Sequence, residues 1–385
     1  MGGLGSFTAA DTPRLRQLVQ EDLGRLTRHL ETQFPGGAVL LGGSFALGEA
    51  VATVTDTGQL HCLSDYDVFV LSPARAAGPA LVLRRWRSSP TAMGLHNPRV
   101  DLNLILAGLV SLGWQHLFDL VPLAGYDRPY RRFREATKRD PVRSAAAREE
   151  FIHYTLQQSL DALLSTAPID GTPAHSSPAA RRERAYQINR CALHLARLSC
   201  NLASPTQPVY RVSDCLARLV DRPSPGLSEE DLTLLQDALE QNVGVDLLRQ
   251  PAPPQPEVDQ RWRGVRRLLL ANAGWHRQPA RRLVVKLWLP HLRRRMHRRS
   301  FPQPPHRTVQ RWTEARLQLL RAIAGPGQVA TEPLRRAQRL LARLGLVDPQ
   351  RKPDSPVTAA CRCRRAARLP VLGNPLRMVA TPEGP

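Results

Sequence analysis

Aromatic residues make up only 5% of this 385-residue chain, and lysine is confined to Lys138, Lys286 and Lys352. Few aromatics beside 34 prolines argue against one large β-sandwich and for a largely helical protein with Pro-punctuated segments. No apolar run reaches the length of an ordinary transmembrane helix, so no membrane span is expected. Met1 to Ser6 carries neither a basic n-region nor an apolar h-region, so no secretory signal is expected. Gly2 and Ser6 do fit the loose myristoylation pattern. The six cysteines follow no regular spacing, and Cys361-Arg362-Cys363 has no second pair or histidine partner. Neither a disulfide framework nor a zinc site is expected, and a cytoplasmic location follows as the default. Length allows about two domains on a prior of ~150 residues each, enough chain to bury a proper core.

The formal charge is +21, and it is unevenly placed. Residues 1–140 contribute +2 and residues 141–250 contribute −2, so the whole excess falls in residues 251–385. A GC-rich coding sequence explains arginine in place of lysine, but not this segregation. The excess predicts a contact with a polyanion or an anionic lipid surface. Residues 251–311 are the expected place. Arg261, Arg263, Arg266 and Arg267 share one amphipathic helix with Trp262, and Arg293–Arg295 and Arg298–Arg299 follow an apolar segment. Arginines beside Trp262, Trp275 and Trp288 suit phosphate contact and base stacking; a solvated helix face over buried tryptophans is the alternative. Residues 314–347 read as a helix-turn-helix or winged-helix end, or as any antiparallel helix pair.

Along the chain, Asp11 or Thr12 can cap a first helix, with Pro13 at its first turn and Leu15, Leu18, Val19, Leu23, Leu26 and Leu30 at helical spacing. Pro35-Gly36-Gly37 ends it. Ala38–Leu41 reads as a buried strand running into Gly42-Gly43-Ser44, followed by a brief helical turn from Phe45 to Glu49. Val51–Thr55 and Gln59–Leu63 flank Asp56-Thr57-Gly58 as a hairpin. Ser64-Asp65-Tyr66-Asp67 opens the apolar strand Val68–Leu71, and a short helix is expected near Leu81–Arg87. Arg99–Leu106 is the next strand, with Val100, Leu102, Leu104 and Leu106 alternating onto one face. Beyond residue 140 helical patterns occupy 143–165, 180–203, 228–243, 258–272, 279–289, 310–324 and 332–346.

Three features carry chemistry: a strand running into Gly43-Ser44, the pair Asp65-x-Asp67 at a strand start, and Asp101 in a later strand. Residues two apart on a strand leave the same face, and Asp101 can join them from a neighbouring strand. Carboxylates brought together repel one another unless a cation sits between them. Mg²⁺ or Mn²⁺, with oxygen ligands and substrate phosphates, is the cation this set would hold. Gly43 and Ser44 offer backbone N–H groups and a hydroxyl to phosphate oxygens. The alternatives are an ordinary tight turn at Gly42–Ser44, a solvated strand start at Asp65 and Asp67, and a salt bridge from Asp101 to Arg99 or another arginine. Glu49 reads as surface or a cap, and His61, His153 and His194 show no ligand spacing.

These residues resemble the nucleotidyltransferase superfamily typified by DNA polymerase beta, including its stand-alone bacterial-type members. The matching stretch is Leu41-Gly42-Gly43-Ser44-Phe45-Ala46-Leu47-Gly48-Glu49, then Ser64-Asp65-Tyr66-Asp67-Val68-Phe69-Val70, then Val100-Asp101-Leu102. It spans roughly residues 36–106, about a fifth of the chain. The resemblance implies that Asp65 and Asp67 bind both metal ions. Asp101 would bind the catalytic ion and help deprotonate the acceptor hydroxyl, and Gly43 and Ser44 would hold a nucleoside triphosphate such as ATP. The reaction implied is transfer of a nucleoside monophosphate to a hydroxyl of a small molecule, an RNA or a protein, with release of pyrophosphate. A non-catalytic nucleotide- or RNA-binding protein that keeps the fold is the alternative. The spacer from Ser44 to Asp65 is longer than the family's usual one, so the resemblance requires the hairpin around Asp56-Thr57-Gly58 to close back on the sheet and let Ser44 and Asp65 converge.

The expected architecture is α+β. A small mixed sheet forms a catalytic domain over residues 10–140, followed by a helical domain over 141–250 and a basic helical region over 251–346. A disordered tail is expected over 347–385.

Overall fold

A computed structural model describes residues 7–8, 12–72, 93–106, 121–124, 152, 155–169, 177–203, 209–222, 227–243, 248, 250–272, 305–325, 328–348, 355–367 and 378–380. The fold is α+β and divides into two compact units. One comprises residues 1–148, 240–250 and 371–385, and the other residues 149–239 and 251–370.

The first unit is built on a five-stranded mixed sheet. Its strands are β1 (Ala38–Gly42), β4 (Tyr66–Ser72), β5 (Val100–Leu106), β6 (Val121–Ala124) and β9 (Met378–Ala380), in the order β6-β1-β4-β5-β9. β1 runs antiparallel to β4 and β6, β4 runs parallel to β5, and β5 is antiparallel to β9. Helix α1 (Pro13–Gln33) covers this sheet. Of its two candidate caps Thr12 is used: its hydroxyl accepts from the Leu15 N–H at 3.2 Å. Leu15, Val19, Leu23, Leu26 and Leu30 pack with Val39, Leu41, Val68, Val70, Val100 and Leu102 in one core. Each such side chain stabilises the unit by roughly 1.5–3 kcal/mol on burial. A separate hairpin, β2 (Ala52–Val54) with β3 (Leu60–Cys62), turns at Asp56-Thr57-Gly58, where Gly58 takes φ +79°. The short helix α2 (Gly43–Leu47) follows β1 without a break.

The second unit is helical. It contains α3 (155–165), α4 (Pro178–Ala203), α5 (Val212–Asp221), α6 (Glu229–Val243, up to residue 239), α7 (Gln255–Asn272), α8 (Pro305–Ala322), α9 (Thr331–Arg343) and α10 (Pro356–Ala367). A small hairpin, β7 (Ile323–Gly325) with β8 (Gln328–Val329), joins α8 to α9. The boundary expected near residue 250 does not separate two helical domains, because α4 and α7 pack against each other within one unit. Arg184 of α4 locks that contact: it reaches Asp259 at 2.6 Å and the Thr166 carbonyl at 2.9 Å. Deeper in the unit, the fully buried Arg316 donates to Gln157 at 2.8 Å and to Asp161 at 2.9 Å while stacking over Trp312 at 4.4 Å.

Of the two readings of the arginine-rich helix, Trp262 follows the one with buried tryptophans: it is fully buried and donates its indole N–H to the Leu163 carbonyl at 3.1 Å. Most of the α7 arginines are engaged within the unit. Arg261 donates to Asn189, Arg266 to the carbonyls of Leu320 and Arg321, and Arg267 to Glu230 and Asp231. Within residues 347–385, the stretch expected as a tail, α10 is helical. Ser355 caps α10 by accepting from the Thr358 N–H at 3.1 Å, Pro356 opens it, and Ala359, Ala360, Cys363 and Ala367 form its buried stripe. The helices expected at Leu81–Arg87 and 279–289, and the Arg293–Arg299 cluster, lie outside the described residues. Among the described residues no helix is long and apolar enough to cross a membrane.

Candidate metal centre

Strand pairing alone puts the candidate residues in one row. In the antiparallel pair β1–β4, Gly42 stands opposite Asp67, and in the parallel pair β4–β5, Asp67 stands beside Asp101. Asp65 precedes β4 by one residue and shares the face of Asp67. One carboxylate oxygen from each of Asp65, Asp67 and Asp101 lies within 4.8 Å of the others. Asp101 is fully buried, and Asp65 and Asp67 are half-exposed. Like charges at this range repel by about 3 kcal/mol per pair at an effective dielectric of 20, so the cluster is costly unless a cation is shared.

Gly43 completes the row from the other side. Its φ of +63° lies in the left-handed region that favours glycine, and its open face is filled by the neighbouring carboxylate. A Cβ placed there would fall 1.8 Å from Oδ2 of Asp67 and 2.7 Å from its Cγ. Glycine is therefore the one residue that lets the turn after β1 come down onto Asp67. Ser44 follows as the second residue of α2, half-exposed, and its carbonyl accepts from the Glu49 N–H at 2.8 Å.

The long spacer does close on its own base. The Val51 N–H donates to the Ser64 hydroxyl at 2.9 Å, and the Leu63 N–H donates to the Val51 carbonyl at 2.9 Å. The extra residues are spent on the β2–β3 hairpin, and the chain returns to the sheet beside the point where it left. Gly43 and Asp67 meet despite the insertion.

Behind the carboxylates sits a polar network that the sequence reading missed. Asp22 of α1 is fully buried and accepts from the Tyr66 hydroxyl at 3.1 Å, the His96 N–H at 2.8 Å and the Asn97 N–H at 2.9 Å. Burial pushes its carboxyl above the ordinary aspartate range, with the Asn97 and His96 N–H groups and the Tyr66 hydroxyl opposing. Tyr66 stands between Asp65 and Asp67, pointing to the opposite face, and its ring packs on Phe45 with centroids 4.6 Å apart. Asn97 also donates to the Ser64 carbonyl at 3.1 Å, Arg99 donates to the Leu63 carbonyl at 3.1 Å, and the Tyr66 N–H donates to the Arg99 carbonyl at 2.9 Å. This network ties the start of β4, the segment before β5 and α1 together, and so sets where the three carboxylates stand. The signal was a carboxylate at Asp22 inside the apolar stripe between Val19 and Leu26.

The donor set is three carboxylates, oxygen ligands of a kind that could hold a metal ion. The close approach of Gly43 keeps the Asp67 side of the cluster clear of any side chain from the turn. No family model matches the chain, and no curated protein and no solved structure matches it.

Proposed function

We propose that the chain is a metal-dependent nucleotidyltransferase, in line with its resemblance to the superfamily typified by DNA polymerase beta. The observation that carries this reading is the meeting of Asp65, Asp67 and Asp101 within 4.8 Å beside the Gly43-Ser44 turn. Asp65 and Asp67 would hold two Mg²⁺ or Mn²⁺ ions, and Asp101 would share one of them. Bound there, the ions supply charge neutralisation for the triphosphate and a lowered proton affinity for the acceptor hydroxyl.

The chain's own groups would do the rest. Gly43 and Ser44 would receive the phosphates through backbone N–H groups and the serine hydroxyl. Asp101 would take the acceptor's proton as its oxygen bonds to the α-phosphorus. The bond from that phosphorus to the bridging oxygen of the β-phosphate then breaks, and pyrophosphate leaves. Rate enhancement would come mainly from positioning. The acceptor is a hydroxyl of a small molecule, an RNA or a protein.

Pyrophosphate release measured with each nucleoside triphosphate and Mg²⁺ or Mn²⁺ tests the reading. The wild-type chain should release it and Asp65→Ala/Asp67→Ala should not. Equal release by both would end it. Binding of nucleotide and metal with no turnover on any acceptor would leave the non-catalytic alternative standing.

A further inference from the structure

We propose that the exposed face of α9 docks a single strand of nucleic acid through its phosphates. This helix has two sides of opposite character. Leu334, Ala337 and Leu341 are buried, and the helix packs on α8 and α10. At 3.6 residues per turn, Arg335, Arg336, Arg339 and Arg343 fall within about 100° of one another on the other side. All four are exposed. From the first to the last the helix rises about 12 Å, a span that successive phosphates of a strand can follow.

Little within the helix neutralises this row. Glu332 is its one carboxylate, and it serves both Arg336 at 2.9 Å and Arg339 at 3.8 Å. Arg335 and Arg343 have no carboxylate partner among the described residues. The contrast with α7 is chemical: its arginines are mostly engaged by carbonyls, an amide and carboxylates, whereas those of α9 face water. Forked guanidinium donors in a regular row suit a repeating phosphate polymer. An anionic membrane fits less well, because Leu334, Ala337 and Leu341 are consumed in packing and the partly exposed Leu340 is the one large apolar side chain left to enter lipid. The inference makes no use of the three aspartates, so it stands or falls apart from the proposed reaction.

The test is equilibrium binding of the full chain to a short single-stranded oligouridylate between about 50 and 200 mM salt, without nucleotide or metal. Arg335→Ala/Arg339→Ala/Arg343→Ala should reduce the slope of log K against log salt by about 2. It should also weaken binding at the lowest salt by at least about tenfold. Arg211→Ala/Arg218→Ala/Arg222→Ala removes as many exposed charges from α5 and its two caps and should keep the wild-type slope. An unchanged first variant, or equal losses in both, overturns the proposal. Binding to phosphatidylserine vesicles that the oligonucleotide does not displace, with no oligonucleotide binding of its own, assigns the face to membranes and overturns it too.

Discussion

In the helical unit a buried charge meets its opposite: Arg184 finds Asp259 at 2.6 Å, and Arg316 finds Asp161 at 2.9 Å with Gln157 filling its second donor. In the sheet unit, charges of one sign are drawn together instead, three carboxylates within 4.8 Å on adjoining strands. Opposite charges under cover solve the problem of desolvation and hold helices in place. Like charges held together by strand register solve no packing problem. They store a repulsion that a bound cation or a proton would relieve, which makes the first arrangement architecture and the second a candidate site.

The largest expected effect probes the paired side. Arg316→Ala strands Asp161 and Gln157 and opens a space against Trp312, so chemical denaturation should show a loss of about 3–5 kcal/mol. Calorimetric Mn²⁺ binding to the protein that remains folded should be unchanged. Next, Gly43→Ala drives a methyl group into Asp67, so Mn²⁺ affinity should fall roughly a hundredfold, about 3 kcal/mol, with little change in secondary structure. Retained affinity would mean that the turn does not shape the cluster.

A smaller effect is expected behind the site. Asp22→Asn leaves one acceptor oxygen for three donors, a cost of about 2 kcal/mol. It carries a pH signature as well. The folded-state carboxyl titrates above its unfolded value, so between those two values the folded protein holds a proton that the unfolded chain releases. The stability contribution of Asp22 is therefore fully present below its unfolded value and declines as pH rises through the folded one. Urea midpoints recorded across that range should slope downward in the wild type and flatten in the variant. The smallest effect has the opposite sign: in metal-free buffer Asp65→Asn should stabilise the chain by about 1 kcal/mol by relieving repulsion, while weakening Mn²⁺ binding. A loss of stability in chelator would make Asp65 a structural residue and remove the contrast between the two units.

Much of the site was legible because its signals are local. Alternation exposed β5, glycines bounded β1, and Asp65-x-Asp67 could only present both carboxylates on one face. The hairpin of β2 and β3 followed from Asp56-Thr57-Gly58 between two strand-like runs. What escaped depends on contacts distant in sequence. β6 and β9 are runs of four and three residues, too short to show a period, and they exist because β1 and β5 have edges to satisfy. The role of Asp22 needed Asn97, whose position relative to α1 no spacing rule supplies. Trp262 had two readings left open, because an arginine-rich helix looks alike from sequence whether its arginines face solvent or carbonyl groups. Helix α5 carries Val212, Cys215, Leu216 and Leu219 at helical spacing, but within only ten residues.

Strand β9 has a consequence for how the protein is made. Asp101 lies opposite Val379, so the outer edge of its strand is covered by a segment translated about 270 residues after β5. At about 5–20 residues per second, β5 waits roughly 15–50 s on the ribosome as an open edge before its partner emerges. During that interval its unpaired N–H and C=O groups can recruit another nascent chain. The edge beside the carboxylate row is thus covered long after the row itself has been made, and a burst of expression at high temperature should send nascent chains to aggregates before it compromises molecules already folded.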